Sequence, residues 1–201
     1  MAHPVTPAPL AHANPTRRAW LQATGCAALG ATWVAPLWAN APAAASAPAW
    51  LATALPGAAL VGQGRLTFLG LKVYDARLWA APGFDAARFD QQPFALALTY
   101  LRGLKGALIA ERSLKEMRPL PGFDAHRETD WLARMTALFP DVADGDTLVG
   151  LHLPGVGARF VLNGQPRGQV DDALFARLFF GIWLSPKTSE PALRQALLGP
   201  P

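Results

Sequence analysis

The chain has 201 residues, of which 51% are hydrophobic, and it carries a formal net charge of +4. Two arginines are the only charged residues before Arg65, so the part from residue 49 onward holds 16 basic and 14 acidic residues. A net charge of +2 on that part gives no argument for nucleic-acid binding. The length and the apolar content are sufficient for one domain with a sizeable core.

Residues 1–49 have the composition of an export signal followed by an Ala/Pro-rich linker. Within them, Thr16–Gln22 resembles the twin-arginine signal pattern, in which two arginines precede an aromatic residue and a leucine. A short, mildly apolar stretch and small residues suited to cleavage follow. We therefore predict export to the periplasm by the twin-arginine machinery, with residues 50–201 as a single domain. A general secretory signal, or an Ala/Pro-rich tail that is not a signal, is the alternative.

The only cysteine of the chain, Cys26, lies in this N-terminal segment, so the exported domain would have no disulfide and no cysteine nucleophile. After residue 49 no run of about 18 uncharged apolar residues occurs, and we expect no transmembrane span there. Phosphate-binding, dinucleotide-binding and nucleophile-elbow motifs do not occur. His152, within a predicted strand, has no neighbour at metal-ligand spacing. We therefore expect neither a cofactor nor a metal site.

The stretch from residue 60 to residue 80 predicts two strands that meet at a glycine. Apolar and polar side chains alternate up to Phe68, and a second alternating run follows Gly70. Because Gly70 interrupts the alternation, we expect a bulge or a tight turn there. Such a strand pair, with one arginine, Arg65, near its start, would form one wall of a cleft.

The rest of the chain predicts groups of strands that alternate with groups of helices. The predicted strands are 94–101, 147–153, 158–162 and 165–170, and the predicted helices are 104–117, 125–139, 173–184 and 191–198. Asn163–Gly164 is the strongest hairpin signal. This order predicts an α+β fold, in which helices cover one face of an antiparallel sheet.

Several short motifs, in this order and spacing, resemble the chalcone isomerase-like family. They are Gly62-x-Gly64, Lys72–Trp79, Leu98–Tyr100, Gly145–Asp146 before a strand, Asn163–Gly164 with Gly168, Phe175–Leu184, and the terminal Leu197–Gly199. The resemblance covers roughly residues 57–199 and is closer to bacterial exported members than to plant enzymes. It implies an open-faced sandwich: a large antiparallel sheet, helices packed on one face, and an apolar cleft between them. Family members either cyclise chalcones or bind fatty acids in that cleft.

The catalytic positions that this resemblance implies are occupied mostly by apolar residues. The family's cleft arginine falls on Leu66, and the threonine that would hold water falls on Leu69. Arg65 can replace that arginine only if a bulge between Gly62 and Leu66 moves its side chain to the cleft face. Tyr74 is either a hydroxyl at the cleft mouth or a core residue with one hydrogen bond. Chalcone cyclisation is therefore not the expected activity.

Three functions remain open from the sequence. The expected one is a non-catalytic periplasmic protein that binds a fatty acid or similar amphipathic anion, with Arg65 near the carboxylate and Tyr74, Leu66 and Leu69 along the cleft. The second is an isomerase or intramolecular lyase that acts on an unknown small molecule with Arg65 and Tyr74. The third is an envelope accessory protein that binds another protein through the open face of the sheet.

Residues 102–118 carry five basic and two acidic side chains. This surplus of positive charge could face an anionic lipid or an anionic partner. A solvated helix face is the alternative interpretation.

Overall fold

Six antiparallel strands form one sheet in the computed structural model, which describes residues 47–199. The strands are β1 (Ala59–Phe68), β2 (Leu71–Ala80), β3 (Phe94–Tyr100), β4 (Thr147–Leu153), β5 (Gly157–Leu162) and β6 (Gln165–Val170). They lie in sequence order, and each pairs antiparallel with the next. The nearly all-apolar strand β3 is therefore interior, as its sequence predicts.

Five α-helices accompany the sheet in the described residues. They are α1 (Ala49–Ala54), α2 (Gly106–Met117), α3 (Glu128–Leu138), α4 (Ala173–Leu184) and α5 (Pro191–Leu198). Helices α2 and α3 come between β3 and β4, whereas α4 and α5 follow β6. The predicted α+β class with an open antiparallel sheet is confirmed.

The main core lies on the sheet face that carries α2, α3, α4 and α5. Leu78, Leu96, Gly150 and Phe160 are register partners across β2 to β5 and point to this face. The missing side chain of Gly150 leaves room for α4, because a Cβ there would lie 3.0 Å from Cε1 of Phe180. The sheet and α4 can therefore pack in direct contact.

A single carboxylate fixes the start of α4. Asp172 accepts hydrogen bonds of 3.0 Å from the backbone N–H groups of Leu174 and Phe175, which otherwise have no partner in the first turn. Its other oxygen accepts a 2.9 Å hydrogen bond from Nε1 of Trp131. Asp172 thus links α3 to the helix that it caps.

Helix α5 packs directly on β1 because two glycines leave space for it. A Cβ at Gly62 would lie 2.5 Å from the carbonyl oxygens of both Ala196 and Leu197. A Cβ at Gly64 would lie 2.8 Å from Cδ1 of Leu193. The Gly62-x-Gly64 motif therefore has a packing role.

The opposite face of the sheet has a smaller cluster under α1, which the sequence pattern did not predict. Leu51 and Leu55, from α1 and its end, pack with Trp79, Val149 and Leu151 of the sheet. This helix therefore covers part of the face that α2–α5 leave open.

All described residues belong to one compact unit. The predicted export signal at residues 1–49 lies almost entirely outside them and stays a prediction. Between residues 47 and 199, no helix combines the length and the apolar character needed to span a membrane.

Candidate ligand cavity

An apolar cavity of about 270 Å³ opens between the helix-covered face of the sheet and helices α2 and α4. Its volume is near the lower end of the roughly 300–1,000 Å³ found for small-molecule pockets. Apolar lining side chains come from β1 to β4, α2 and α4, and from the loops that join them; they include Leu66, Val73, Leu98, Leu104, Ile109, Leu148, Phe179 and Ile182. Such walls suit an alkyl chain or an apolar ring system.

Two tyrosines form the polar part of the sheet wall. Tyr74 and Tyr100 are register partners on β2 and β3, with ring centroids 6.0 Å apart. Their side chains are almost fully buried, and this burial raises the pKa of both phenols well above the ordinary value. Both hydroxyls therefore stay protonated at neutral pH and can donate hydrogen bonds into the cavity.

The hydroxyls of these tyrosines differ in their partners. The Tyr74 hydroxyl accepts a 2.9 Å hydrogen bond from Nε1 of Trp183. Within residues 47–199 no group hydrogen-bonds the Tyr100 hydroxyl, although the residue is only 2% exposed. In the same part of the chain no fully enclosed side-chain oxygen lacks a partner. The Tyr100 hydroxyl is therefore in contact with the cavity space, where a ligand acceptor atom can reach it.

Charged side chains are confined to the rim of the cavity. Arg112 donates from Nε to Glu116 at 2.8 Å, and its guanidinium carbon lies 5.2 Å from the centre of the Phe68 ring. The other carboxylate oxygen of Glu116 accepts a 2.6 Å hydrogen bond from the Ser189 hydroxyl. Arg102 also lines the rim. Glu190 lines the cavity as well. Of the two lining arginines, Arg112 is paired with Glu116, and Arg102 forms no ion pair within residues 47–199, so Arg102 is the cation that an anionic ligand group can approach.

Arg65 does not line the cavity, which corrects the prediction that it lies beside the ligand. The register of β1 and β2 runs without interruption from Gly62 to Leu66, and the bulges occur on either side of this segment. Arg65 therefore stays on the opposite face, where its Nε and Nη2 donate to Asp75 at 2.6 and 2.9 Å. These hydrogen bonds lower the pKa of the Asp75 carboxyl.

The other three predicted site residues divide between two locations. Leu66 and Tyr74 face each other across β1 and β2, and both line the cavity. Leu69 does not; it lies in the β1–β2 turn and is 86% exposed. Arg65 and Tyr74 lie on opposite faces of the sheet, so the pair assigned to an isomerase does not converge. Whether Leu66 and Tyr74 contact a ligand stays a prediction.

Sequence reasoning missed Tyr100, Arg112 and Trp183 as members of this site. Tyr100 had a usable signal, because alternation along an antiparallel pair places the end of β3 beside Tyr74. Arg112 and Trp183 had none, since they reach the cavity from helices distant in sequence. No group of three His, Cys, Asp or Glu side chains in the described part of the chain could hold a metal ion.

The fold and cavity define a class: an antiparallel open sheet that encloses an apolar site beneath its helices. The sequence profile described as chalcone isomerase-like matches residues 59–199. This chain belongs to the chalcone isomerase-like family. An uncharacterized protein of Haemophilus influenzae is 32% identical over 139 residues, which are 69% of this chain and 67% of that protein.

A solved structure with a similar fold is a fatty-acid binding protein of Arabidopsis thaliana. The two structures align with a TM-score of 0.58 at 16% sequence identity, over 71% of this chain and 87% of the plant chain. At this identity the likeness concerns the fold.

Proposed function

We propose that this protein binds a fatty acid or a similar amphipathic anion in the cavity beneath α2 and α4. The observation that carries the proposal is an apolar cavity whose wall contains a buried phenol, Tyr100, with no hydrogen-bond partner among residues 47–199. The apolar walls receive the chain, and the Tyr100 hydroxyl donates to an oxygen of the ligand. The fatty-acid binding of the Arabidopsis protein, which has the same fold, supports this ligand class.

The binding free energy of such a ligand has an apolar and a polar contribution. Each methylene removed from water contributes about 0.8 kcal/mol, which is roughly a fourfold gain in affinity. Burial of an isolated carboxylate is costly unless donors and a nearby cation compensate it. The phenols of Tyr74 and Tyr100 supply donors, and positive charge comes from Arg102 and from Arg112, which also holds Glu116.

Location is a separate part of the proposal. We propose that the protein acts in the periplasm after export by the twin-arginine machinery, which would recognise residues 16–22. Replacement of both Arg17 and Arg18 by lysine is expected to leave the protein unprocessed in the cytoplasm. Cell fractionation and the mass of the N-terminal peptide measure this outcome, and normal processing of the variant would contradict the export route.

The proposed ligand is tested first on protein purified from cells without delipidation. Native mass spectrometry is expected to detect a co-purifying carboxylic lipid. After delipidation, titration with saturated fatty acids of increasing length is expected to tighten the dissociation constant by about fourfold per methylene until the cavity is full. Absence of a bound lipid, together with no effect of any fatty acid on the melting temperature, would contradict the proposal.

A variant of Tyr100 tests whether the fatty acid binds in this cavity. Tyr100→Phe removes only the hydroxyl and is expected to weaken fatty-acid binding by about tenfold, the value of a hydrogen bond to a charged acceptor. Its melting temperature is expected to stay close to that of the wild type, because the hydroxyl has no partner among the described residues. Unchanged affinity would remove Tyr100 from the binding site.

A further inference from the structure

Exposed apolar side chains are concentrated at the mouth of the cavity. Five large hydrophobic residues in the described part of the chain are conspicuously exposed, and four of them lie in or directly beside the β1–β2 turn or at the start of α2. These four are Phe68, Leu69, Leu71 and Leu108, and their exposed fractions range from 47% to 86%. We call them the mouth cluster. Three of them line the cavity, so the exposed apolar surface is continuous with its interior.

The turn that presents this cluster has an unusual residue at its first position. Leu69 and Gly70 have φ values of 50° and 77°, and Asn163 and Gly164 in the β5–β6 turn have nearly the same values, 49° and 81°. Asn-Gly is the preferred pair for such a two-residue hairpin turn. A leucine there accepts backbone strain and exposes its side chain to water. Neither folding nor solubility explains that choice.

Positive charge lies beside the mouth cluster. Arg102 lines the cavity just after β3. Lys72 directly follows Leu71 but pairs with Thr67, so its side chain lies on the face opposite the cavity, near Asp75. The backbone N–H of Leu101 donates to the carbonyl of Val73, so Lys72 and Arg102 come at the same end of the sheet. Neither forms an ion pair within residues 47–199, whereas Lys105 and Arg112 are paired with carboxylates.

We propose that the mouth cluster docks the protein on an anionic lipid bilayer, so that an amphipathic ligand passes between the bilayer and the cavity. This rests on the proposed function in that the cavity holds a lipid-like molecule. Reversible membrane docking generally has two requirements: apolar side chains that enter the bilayer interface, and nearby cations that contact anionic headgroups. Of the mouth cluster, Leu69 enters the bilayer interface deepest, because it occupies the tip of the β1–β2 turn.

The test measures co-sedimentation of the purified protein with vesicles. All variants are compared in the same processed form, on vesicles of phosphatidylethanolamine with phosphatidylglycerol and on vesicles of phosphatidylcholine alone. Wild type is expected to bind the anionic vesicles more tightly, with an affinity that falls as salt is raised. Leu69→Asn is expected to weaken binding about tenfold, because one leucine no longer enters the interface. Lys72→Gln is expected to weaken binding about fivefold on anionic vesicles alone.

Controls separate docking from folding and from ligand binding. Val156→Asn changes the fifth exposed hydrophobic residue, which lies in the β4–β5 turn, and is expected to leave vesicle binding unchanged. Leu69→Asn is expected to keep or raise the melting temperature, since asparagine tolerates positive φ. It is also expected to keep wild-type affinity for fatty acid in vesicle-free solution, because Leu69 does not line the cavity.

Equal vesicle binding by Leu69→Asn and wild type would overturn the docking proposal. So would an equal loss in Val156→Asn, or a wild-type dimer in solution that Leu69→Asn converts to a monomer, because the cluster would then join two copies of the chain. Failure of the wild-type protein to bind anionic vesicles, with its fatty-acid binding intact in solution, would overturn docking and leave the proposed function standing. Vesicle binding by a protein that takes up no fatty acid would overturn the proposed function and leave docking standing.

Discussion

Nε1 of Trp183 donates a 2.9 Å hydrogen bond to the hydroxyl of Tyr74, across 109 residues of sequence. The bond joins α4 to β2 at the wall of the cavity. A phenol hydroxyl has one donor and two acceptor positions, and the indole uses an acceptor. The Tyr74 proton therefore remains available to a ligand.

A double-mutant cycle is expected to show coupling between Tyr74 and Trp183. Tyr74→Phe leaves the buried indole N–H without its partner and is expected to cost about 1–3 kcal/mol of the free energy of unfolding. Combined with Trp183→Phe, the coupling energy is expected to be about 0.5–1.5 kcal/mol. Tyr100→Phe with Trp183→Phe is the matched control and is expected to be additive. Additivity of the first pair, measured by urea denaturation, would contradict the bond.

Two arginines are expected to differ in their effect on ligand binding. Arg112→Gln removes one of the two positive charges that line the cavity and is expected to weaken binding of a fatty acid by about fivefold or more, but not binding of the corresponding alcohol. Arg65→Gln is the control and is expected to change neither affinity, because Arg65 lies on the other face and pairs with Asp75. Calorimetric titration measures both. A loss of affinity in Arg65→Gln alone would show that the charge acts from the open face.

A methyl group at position 62 is expected to separate α5 from the sheet. The Cβ of Gly62→Ala would meet two backbone carbonyl oxygens of α5 at 2.5 Å, and backbone cannot rotate away as a side chain can. The expected loss is about 1–3 kcal/mol in the free energy of unfolding. At Gly103 the nearest atom would be 3.5 Å away, so Gly103→Ala is expected to stay within about 0.5 kcal/mol of wild type. Equal stability of the two variants, in chemical denaturation, would refute this packing role.

His152 is expected to make the protein less stable in mild acid. The ring is 3% exposed and stacks on Phe94, and its burial lowers the pKa of the imidazole below the ordinary 6.5. Between the folded and unfolded pKa values, the unfolded chain binds a proton that the folded protein does not. The free energy of unfolding is therefore expected to fall as pH decreases through about 6.5 and to level off below the folded pKa.

Denaturation midpoints measured from neutral pH down into mild acid test this dependence on pH. His152→Gln is expected to flatten the profile in that range. An unchanged slope in His152→Gln would assign the effect to another group.

Local patterns were sufficient for most of the fold. Alternation along β1, β2 and β3, helical spacing from residue 104 onward, and the Asn163–Gly164 turn depend on neighbours close in sequence. The elements they predict agree with the structure to within a few residues. Leu66 and Tyr74 were predicted as cleft residues from the family resemblance, and strand alternation then places them on one face as cross-strand partners.

What the sequence could not determine was which distant side chains meet. By itself it determined the strands, the helices and the family resemblance, since these follow from short-range periodicity and ordered motifs. Only the tertiary structure showed that the register of β1 is continuous around Arg65, so that its guanidinium lies on the face opposite the cavity. Only the packing of α2 and α4 on the sheet brings Arg112 and Trp183 to the tyrosines. Register and helix docking depend on the whole core, and one residue of shift exchanges the two faces of a strand.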